Sequence, residues 1–225
     1  MERPSILRGC LLDVDGTLID SNDAHARSWL DVLREYDYDV TYAQIRALIG
    51  MGGDKLVAAI TGLDVETGKG KELTSKRMER FRRAYLPSLR PTVGARELVG
   101  RMKEEGLKLV IATSARDDEL GALLEQAGLN DLIHRRTTSD DAGESKPDPD
   151  IVHAALARGE LAADQVLMLG DTPYDVEAAD RAGVASIALR CGGWWADDAL
   201  AGALAIYDNP SDLVRQYARS PLGAK

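Results

Sequence analysis

The sequence predicts an α/β protein: a three-layer core with a parallel sheet between two layers of helices, plus an inserted all-helical domain. Three observations carry this. Short runs, apolar on both faces, recur along the chain, as strands covered by helices on either side require. Amphipathic stretches alternate with them, and each closes on or near a glycine, the usual residue past a helix C-terminus. Residues 20 to 90 break the alternation, with helical patterns and no clear strand.

The first apolar run is residues 6–12, interrupted only by Arg8 and Gly9 and ending at Asp13. Further strands are expected at residues 107–113, 166–170 and 184–189. Between them, residues 94–105 place Leu98, Val99 and Met102 on one helix face, and residues 117–127 do the same with Leu120, Leu123, Leu124 and Ala127. Gly106 and Gly128 follow these two helices. Helices at 150–157 and 175–182 precede Gly159 and Gly183. In the insert, helices are expected at 24–35, 42–49, 54–60 and 71–85, with Pro87 and Pro91 marking the return to the α/β pattern. The domain boundaries follow: residues 1–19 and 91–225 form the core, and residues 20–90 the insert. The tail, residues 220–225, is expected to fray.

The length of 225 residues suits one domain, or one core carrying an insert. Hydrophobic residues make up 44% and charged residues 29%, which selects a folded globule over a disordered chain. Aromatics are only 5%, so the core must rest on Leu, Val, Ile and Ala. A net charge of -9 argues against a nucleic-acid partner, which needs clustered positive charge. The stretch Lys76 to Arg90, with Arg77, Arg80, Arg82 and Arg83, is the local exception and reads as the solvated face of a helix, with a patch that attracts an anionic substrate as the alternative. Cys10 and Cys191 read as unpaired, partly buried thiols. No signal peptide is expected, and no apolar run approaches the roughly 18 residues of a bilayer span. The expectation is a cytoplasmic protein without membrane attachment, as a monomer or a homodimer.

Four segments carry chemistry, and each is expected where an apolar strand ends. Asp13-Val14-Asp15-Gly16-Thr17 places two carboxylates at i and i+2, which start on one side of an extended chain. One can act as nucleophile and the other as general acid/base. Two like charges so close call for a cation, and oxygen ligands favour magnesium. An Asp-Gly turn is the simpler reading of the same residues. Thr113-Ser114 combines hydroxyls with free N–H groups where a strand gives way to a helix, suiting either a phosphate or an ordinary N-cap. Lys146, in Lys146-Pro147-Asp148-Pro149, sits on a backbone stiffened by two prolines and can hold a fixed positive charge. Asp171 directly follows the strand at 166–170, as a metal ligand would, while Asp175 suits either a further ligand or a helix cap.

Together these motifs resemble the haloacid dehalogenase superfamily, in its phosphatase branch, over nearly the whole chain. The resemblance implies a three-layer Rossmann-like core with Asp13 as nucleophile, Asp15 as general acid/base, Thr113 as phosphate binder and Lys146 as charge stabiliser. It implies magnesium held by Asp13, Asp15 through its carbonyl, and Asp171, with Asp175 a further candidate. The insert resembles the helical cap of the branch that includes phosphoglycolate phosphatases, β-phosphoglucomutases, phosphonatases and dehalogenases. On that resemblance Asp20, His25, Lys55 and the loop Gly50 to Lys55 face the substrate, with Ser114 and Arg116 beside them. His25 also reads as a helix-surface histidine in a polar run.

Asp15 separates the branch members, because dehalogenases and phosphonatases lack that acid. A phosphonatase would need a cap lysine, for which Lys55 is the candidate. Mutases share Asp13, Asp15 and the histidine, but usually carry two adjacent acids in the fourth motif, where this chain has Gly170-Asp171. Hydrolysis of a small phosphate monoester, phosphoglycolate-like or sugar-phosphate-like, is therefore expected, with a phosphosugar mutase and a non-enzymatic binding module as the alternatives. Trp194 and Trp195 follow the last strand and are expected to pack on the core, with a dimer contact as the alternative.

Overall fold

A computed structural model describes residues 2–223. Six strands lie in one sheet: β1 (Gly9–Leu12), β2 (Lys108–Ala112), β3 (Arg135–Thr137), β4 (Val166–Gly170), β5 (Ala185–Leu189) and β6 (Ala205–Tyr207). Their order is β3-β2-β1-β4-β5-β6, and every pairing is parallel. The order reverses direction at β1, the switch point beside which ligands bind in open α/β sheets.

The three layers follow from the two-residue period of the strands. Cys10 and Leu12 point into one apolar cluster with α5 (Ala95–Glu104), α6 (Asp117–Gln126) and α9 (Pro210–Arg215). Leu11 points the opposite way, into a cluster with α7 (Asp150–Gly159) and α8 (Pro173–Arg181). Between β1 and α5 come only helices: α1 (Asn22–Glu35), α2 (Tyr42–Arg46), α3 (Gly53–Thr61) and α4 (Gly68–Arg80), the last continuing into a π-helical turn over Phe81–Tyr85. These helices bury an apolar cluster of their own, including Trp29, Leu33, Ile45, Leu56 and Leu73. The chain leaves and re-enters the core through two adjacent segments. There the Asp20 N–H donates to the Arg90 carbonyl at 2.9 Å and the Thr92 N–H to the Leu18 carbonyl at 3.1 Å.

Several expectations change. The first strand begins at Gly9, and Ile6 is exposed. β3 and β6 were not legible: each has three residues at a sheet edge, and two of β3's three are arginines. Gly159 is the last residue of α7, and Glu160 takes the left-handed turn after it. A side chain on Gly159 would meet Leu161 and Val110, so close packing explains this glycine. The tail does not fray at residues 220–223, since Ser220 and Leu222 are buried. Its last two residues lie outside the described ones. Trp195 packs edge-on against Tyr174 in the core, whereas Trp194 reaches the insert, edge-on to Tyr42 and beneath Arg46. Both cysteines are free thiols, Cys10 buried and Cys191 partly so. Among the described residues no helix is long and apolar enough to cross a membrane.

Gly94 tests the packing of α5 on α9. It precedes α5 at φ 84°, and a Cβ there would strike the backbone of Ser211. Gly94→Ala should cost at least about 1–2 kcal/mol from the left-handed backbone alone. A lowered denaturation midpoint with an unchanged m value would show this.

Candidate active site

Three strand ends meet at the switch point. Asp13 continues β1 by one residue, its N–H donating to the Leu169 carbonyl at 2.9 Å. Thr113 continues β2, its N–H donating to the Thr137 carbonyl at 3.2 Å. Asp171 follows β4 directly. After Asp15 the chain turns sharply at Gly16, with φ 79°, where the Gly16 N–H donates to the Ile19 carbonyl at 2.8 Å. A side chain on Gly16 would overlap Asn22 and Asp171. The glycine is thus required by both conformation and space.

Lys146 is wholly buried. Its ammonium donates to Asp13 Oδ1 and Asp175 Oδ1, each at 2.7 Å. Asp175 also caps α8: its other oxygen accepts from the Thr172 N–H at 3.0 Å and the Thr172 hydroxyl at 2.7 Å. The helix-cap reading of Asp175 therefore holds, and the same carboxylate stands beside Asp13 and Asp171. Asp171 accepts from the Thr17 hydroxyl at 2.9 Å and from Asn22 Nδ2 at 2.8 Å. Carboxylate oxygens of Asp13, Asp171 and Asp175 all lie within 4.8 Å of one another. One ammonium cannot balance three buried carboxylates. Burial and the Asp175 charge push the Asp13 carboxyl up to about 7, against the pull of Lys146. Burial, Asp13 and Asp175 hold Asp171 well above the carboxylate range. Burial would lower the Lys146 pKa, but the two carboxylates reverse this and raise it. An all-oxygen, over-acidic cluster of this kind fits a hard divalent cation.

Asp15 is turned away from that cluster. Its Oδ1 meets His25 Nε2 at 2.7 Å and accepts from the Ser21 hydroxyl. Burial raises the Asp15 carboxyl, but His25, Ser21 and Arg77 together bring it below its ordinary range. His25 stacks flat on Phe81, with ring centroids 4.2 Å apart. Its Nδ1 faces the Arg77 guanidinium. Arginine only donates, so Nδ1 accepts and the Nε2–H points at Asp15. Arg77 in turn donates to both oxygens of Glu119, at 2.8 and 3.1 Å. Arg77 and Glu119 are both buried, so the solvated-face reading of this stretch fails at Arg77. It holds for Arg82 and Arg83, which are exposed.

A cavity of about 540 Å³ opens between the insert and the core. Asp13, Asp15, Thr113 and Ser114 line its core side, and His25, Trp29 and Leu56 its insert side. Arg116 lies at its edge, half exposed, 3.9 Å from Glu66 and 3.8 Å from Asp140. Gly50 and Met51 of the loop after α2, and Gly53 and Asp54 at the start of α3, line the cavity. Two expected substrate residues do not. Asp20 is exposed in the hinge between core and insert. Lys55 turns to the core surface, where it pairs with Asp148 and Glu144. Asn22, Arg77 and Glu119 were missed. No local motif marks them, since their partners lie 149 and 42 residues away in the chain.

Against known families, residues 10–189 match the model of the haloacid dehalogenase-like hydrolases. The chain belongs to this family. A phosphoglycolate phosphatase of Rhodospirillum rubrum is 32% identical over 92% of this chain and 89% of its own. A phosphoglycolate phosphatase of Aliivibrio fischeri is 32% identical, over 80% of this chain and 82% of its own. A crystal structure of a hydrolase from Pseudomonas syringae superposes with a TM-score of 0.84 at 29% identity, covering 94% of this chain and 98% of that one.

The charge imbalance of this hydrolase is testable by pH. The folded protein retains protons on Asp13 and Asp171 that the unfolded chain has released. With a chelator present, the Asp13 part of that contribution is complete below pH 3.8 and is lost as pH rises through about 7, and the Asp171 part has the same sign. A divalent cation held by these carboxylates would have to displace the same protons, so the stabilisation it brings should grow over this range. Thermal melts from pH 5 to 8 should show a magnesium-induced rise in Tm that increases with pH. A rise that stays constant would contradict this charge assignment.

Proposed function

We propose that this protein is a magnesium-dependent phosphatase that hydrolyses a small phosphate monoester, phosphoglycolate-like or sugar-phosphate-like, through a phosphoaspartate at Asp13. The observation that carries this reading is the convergence of Asp13, Lys146, Asp171 and Asp175 on one point at the carboxyl ends of β1 and β4. The relatives named as phosphoglycolate phosphatases support the substrate class.

Asp13 attacks phosphorus in line, and its bond to the alcohol oxygen breaks. Lys146 holds Asp13 in place and faces the phosphate charge with its ammonium. Thr113 Oγ1 already accepts the Ala115 N–H at 3.1 Å, so its own hydrogen is free to donate to a phosphate oxygen. Asp13 and Asp171, with the Asp15 carbonyl, would hold magnesium beside Asp175. Bound there, magnesium would offset the phosphate charge and keep Asp13 ionised. Asp15 protonates the departing alcohol and then takes a proton from the water that cleaves the aspartyl-phosphate. Its depressed pKa suits the second half of that cycle, and His25 holds the carboxylate in position.

Residues 20–90 act as a cap over a core of residues 1–19 and 91–225. The cavity between the two supports this, as does the paired hinge at residues 18–20 and 90–92. Closure excludes water while the phosphoryl group moves. The Arg77–Glu119 pair, which joins α4 of the cap to α6 of the core, holds the closed form.

Hydrolysis of p-nitrophenyl phosphate, phosphoglycolate and a sugar-phosphate panel, with and without magnesium, tests the reading. Asp13→Asn should abolish turnover of every ester, and wild-type-like activity in that variant would end the proposal. Asp15→Asn should lose about 10²- to 10⁴-fold on alkyl phosphates. It should lose less on p-nitrophenyl phosphate, whose leaving group needs little protonation. Arg77→Ala should lower kcat and raise KM together, because it loosens both the cap and His25.

A further inference from the structure

Asn22 has no part in the mechanism above, yet it touches the centre of the site. It opens α1, the first helix of the insert, and is 2% exposed. Its Nδ2 donates to Asp171 Oδ2 at 2.8 Å and to the Gly192 carbonyl at 3.4 Å. The Gly192 carbonyl and an ionised Asp171 only accept, so the amide nitrogen faces them. Asn22 Oδ1 is left buried and without a hydrogen-bond partner. The other oxygen of Asp171 takes the Thr17 hydroxyl at 2.9 Å. Two uncharged donors therefore fix the two carboxylate oxygens, Thr17 from the core and Asn22 from the insert.

The surroundings leave this contact no slack. A side chain on Gly16 would overlap Asn22 Nδ2 and Asp171, and one on Gly192 would overlap Asp171 Oδ2. The Gly192 carbonyl is held a second time from the insert, by Arg46, which is 1% exposed and anchored to Asp23 at 2.9 Å. Asn22 and Arg46 thus bring two insert helices onto the backbone and side chain that surround Asp171.

We propose that Asn22 is a positioning residue for the magnesium ligand Asp171 and couples metal binding to the seating of the cap. This rests on the magnesium reading above. The chemistry of the donor explains the choice of residue. A lysine or arginine here would orient Asp171 but repel the cation and cancel the charge that attracts it. An amide orients the carboxylate and leaves its charge available. Groups that orient a metal ligand from behind are typically worth about 10- to 100-fold in metal affinity. Because this donor sits on the first residue of α1, movement of the cap away from the core withdraws it.

The test is magnesium binding by calorimetry to wild type, Asn22→Ala and Asn22→Leu, the last keeping the volume without the donor. Both variants should bind magnesium about 10- to 100-fold more weakly, while KM for p-nitrophenyl phosphate at saturating magnesium moves less than threefold. Hydrogen exchange supplies the coupling readout. Magnesium should slow exchange of the α1 amides in wild type and much less in either variant. A magnesium Kd within twofold of wild type in either folded variant overturns the role of Asn22 and leaves the magnesium reading standing. No magnesium binding by wild type, with hydrolysis indifferent to a chelator, overturns both.

Discussion

Lys146 is the cation around which the rest of the site is arranged. Its ammonium lies wholly in the interior, and it reaches Asp13 at the end of β1 and Asp175 in the first turn of α8. A buried charge of this kind is tolerable only when it is paired and fully hydrogen-bonded. The pairing constrains three separate segments at once: the turn after β1, the loop before α7 and the cap of α8. One ammonium pairs two of the three carboxyl groups, and the surplus acid is left to hold protons. The same imbalance that strains the folded protein is what makes the cluster suited to a hard divalent cation.

The second charged network has the opposite arrangement. From Asp15 through His25 and Arg77 to Glu119, donors and acceptors alternate, and each group is matched. This network crosses from core to insert and back, since Asp15 and Glu119 belong to the core elements and His25 and Arg77 to α1 and α4. A buried pair broken by separation leaves an uncompensated charge, which is strongly unfavourable. The network therefore favours the seated insert and, in the same geometry, sets the orientation of Asp15. Two carboxylates two residues apart in the chain consequently lie in different electrostatic worlds, Asp13 pushed up and Asp15 held down. Divergence of this sort is how one site runs both nucleophilic and acid/base chemistry.

Steric constraint supports both networks. The positive φ of Gly16 lets the chain double back within three residues of Asp13, and its missing side chain leaves room for Asn22 and Asp171. Gly192, lacking a side chain, leaves room for Asp171 from the far side, where the loop after β5 passes it. These glycines admit the close approach of backbone to carboxylate on which the cluster depends.

The motifs legible in the sequence were those carried by local order: apolar strands ending on Asp13, Thr113 and Asp171, a proline-stiffened Lys146, and helices with a single apolar stripe. Each is set by residues within a few positions of one another, so periodicity and turn chemistry suffice to find it. The three-residue edge strands escaped because β3 is mostly arginine and each pairs on one side only. Arg77 read as a surface residue because its helix neighbours Lys76, Arg82 and Arg83 are exposed, and nothing nearby in the chain announces Glu119. Asp20 and Lys55 lie on segments that approach the site, yet one turns to solvent in the hinge and the other to a surface ion pair. By itself the sequence determined the fold class, the order of the four motifs and the identity of the acids. Only the tertiary structure decided which insert side chains meet those acids, because that depends on how the insert helices seat on the core across distances that no local pattern encodes.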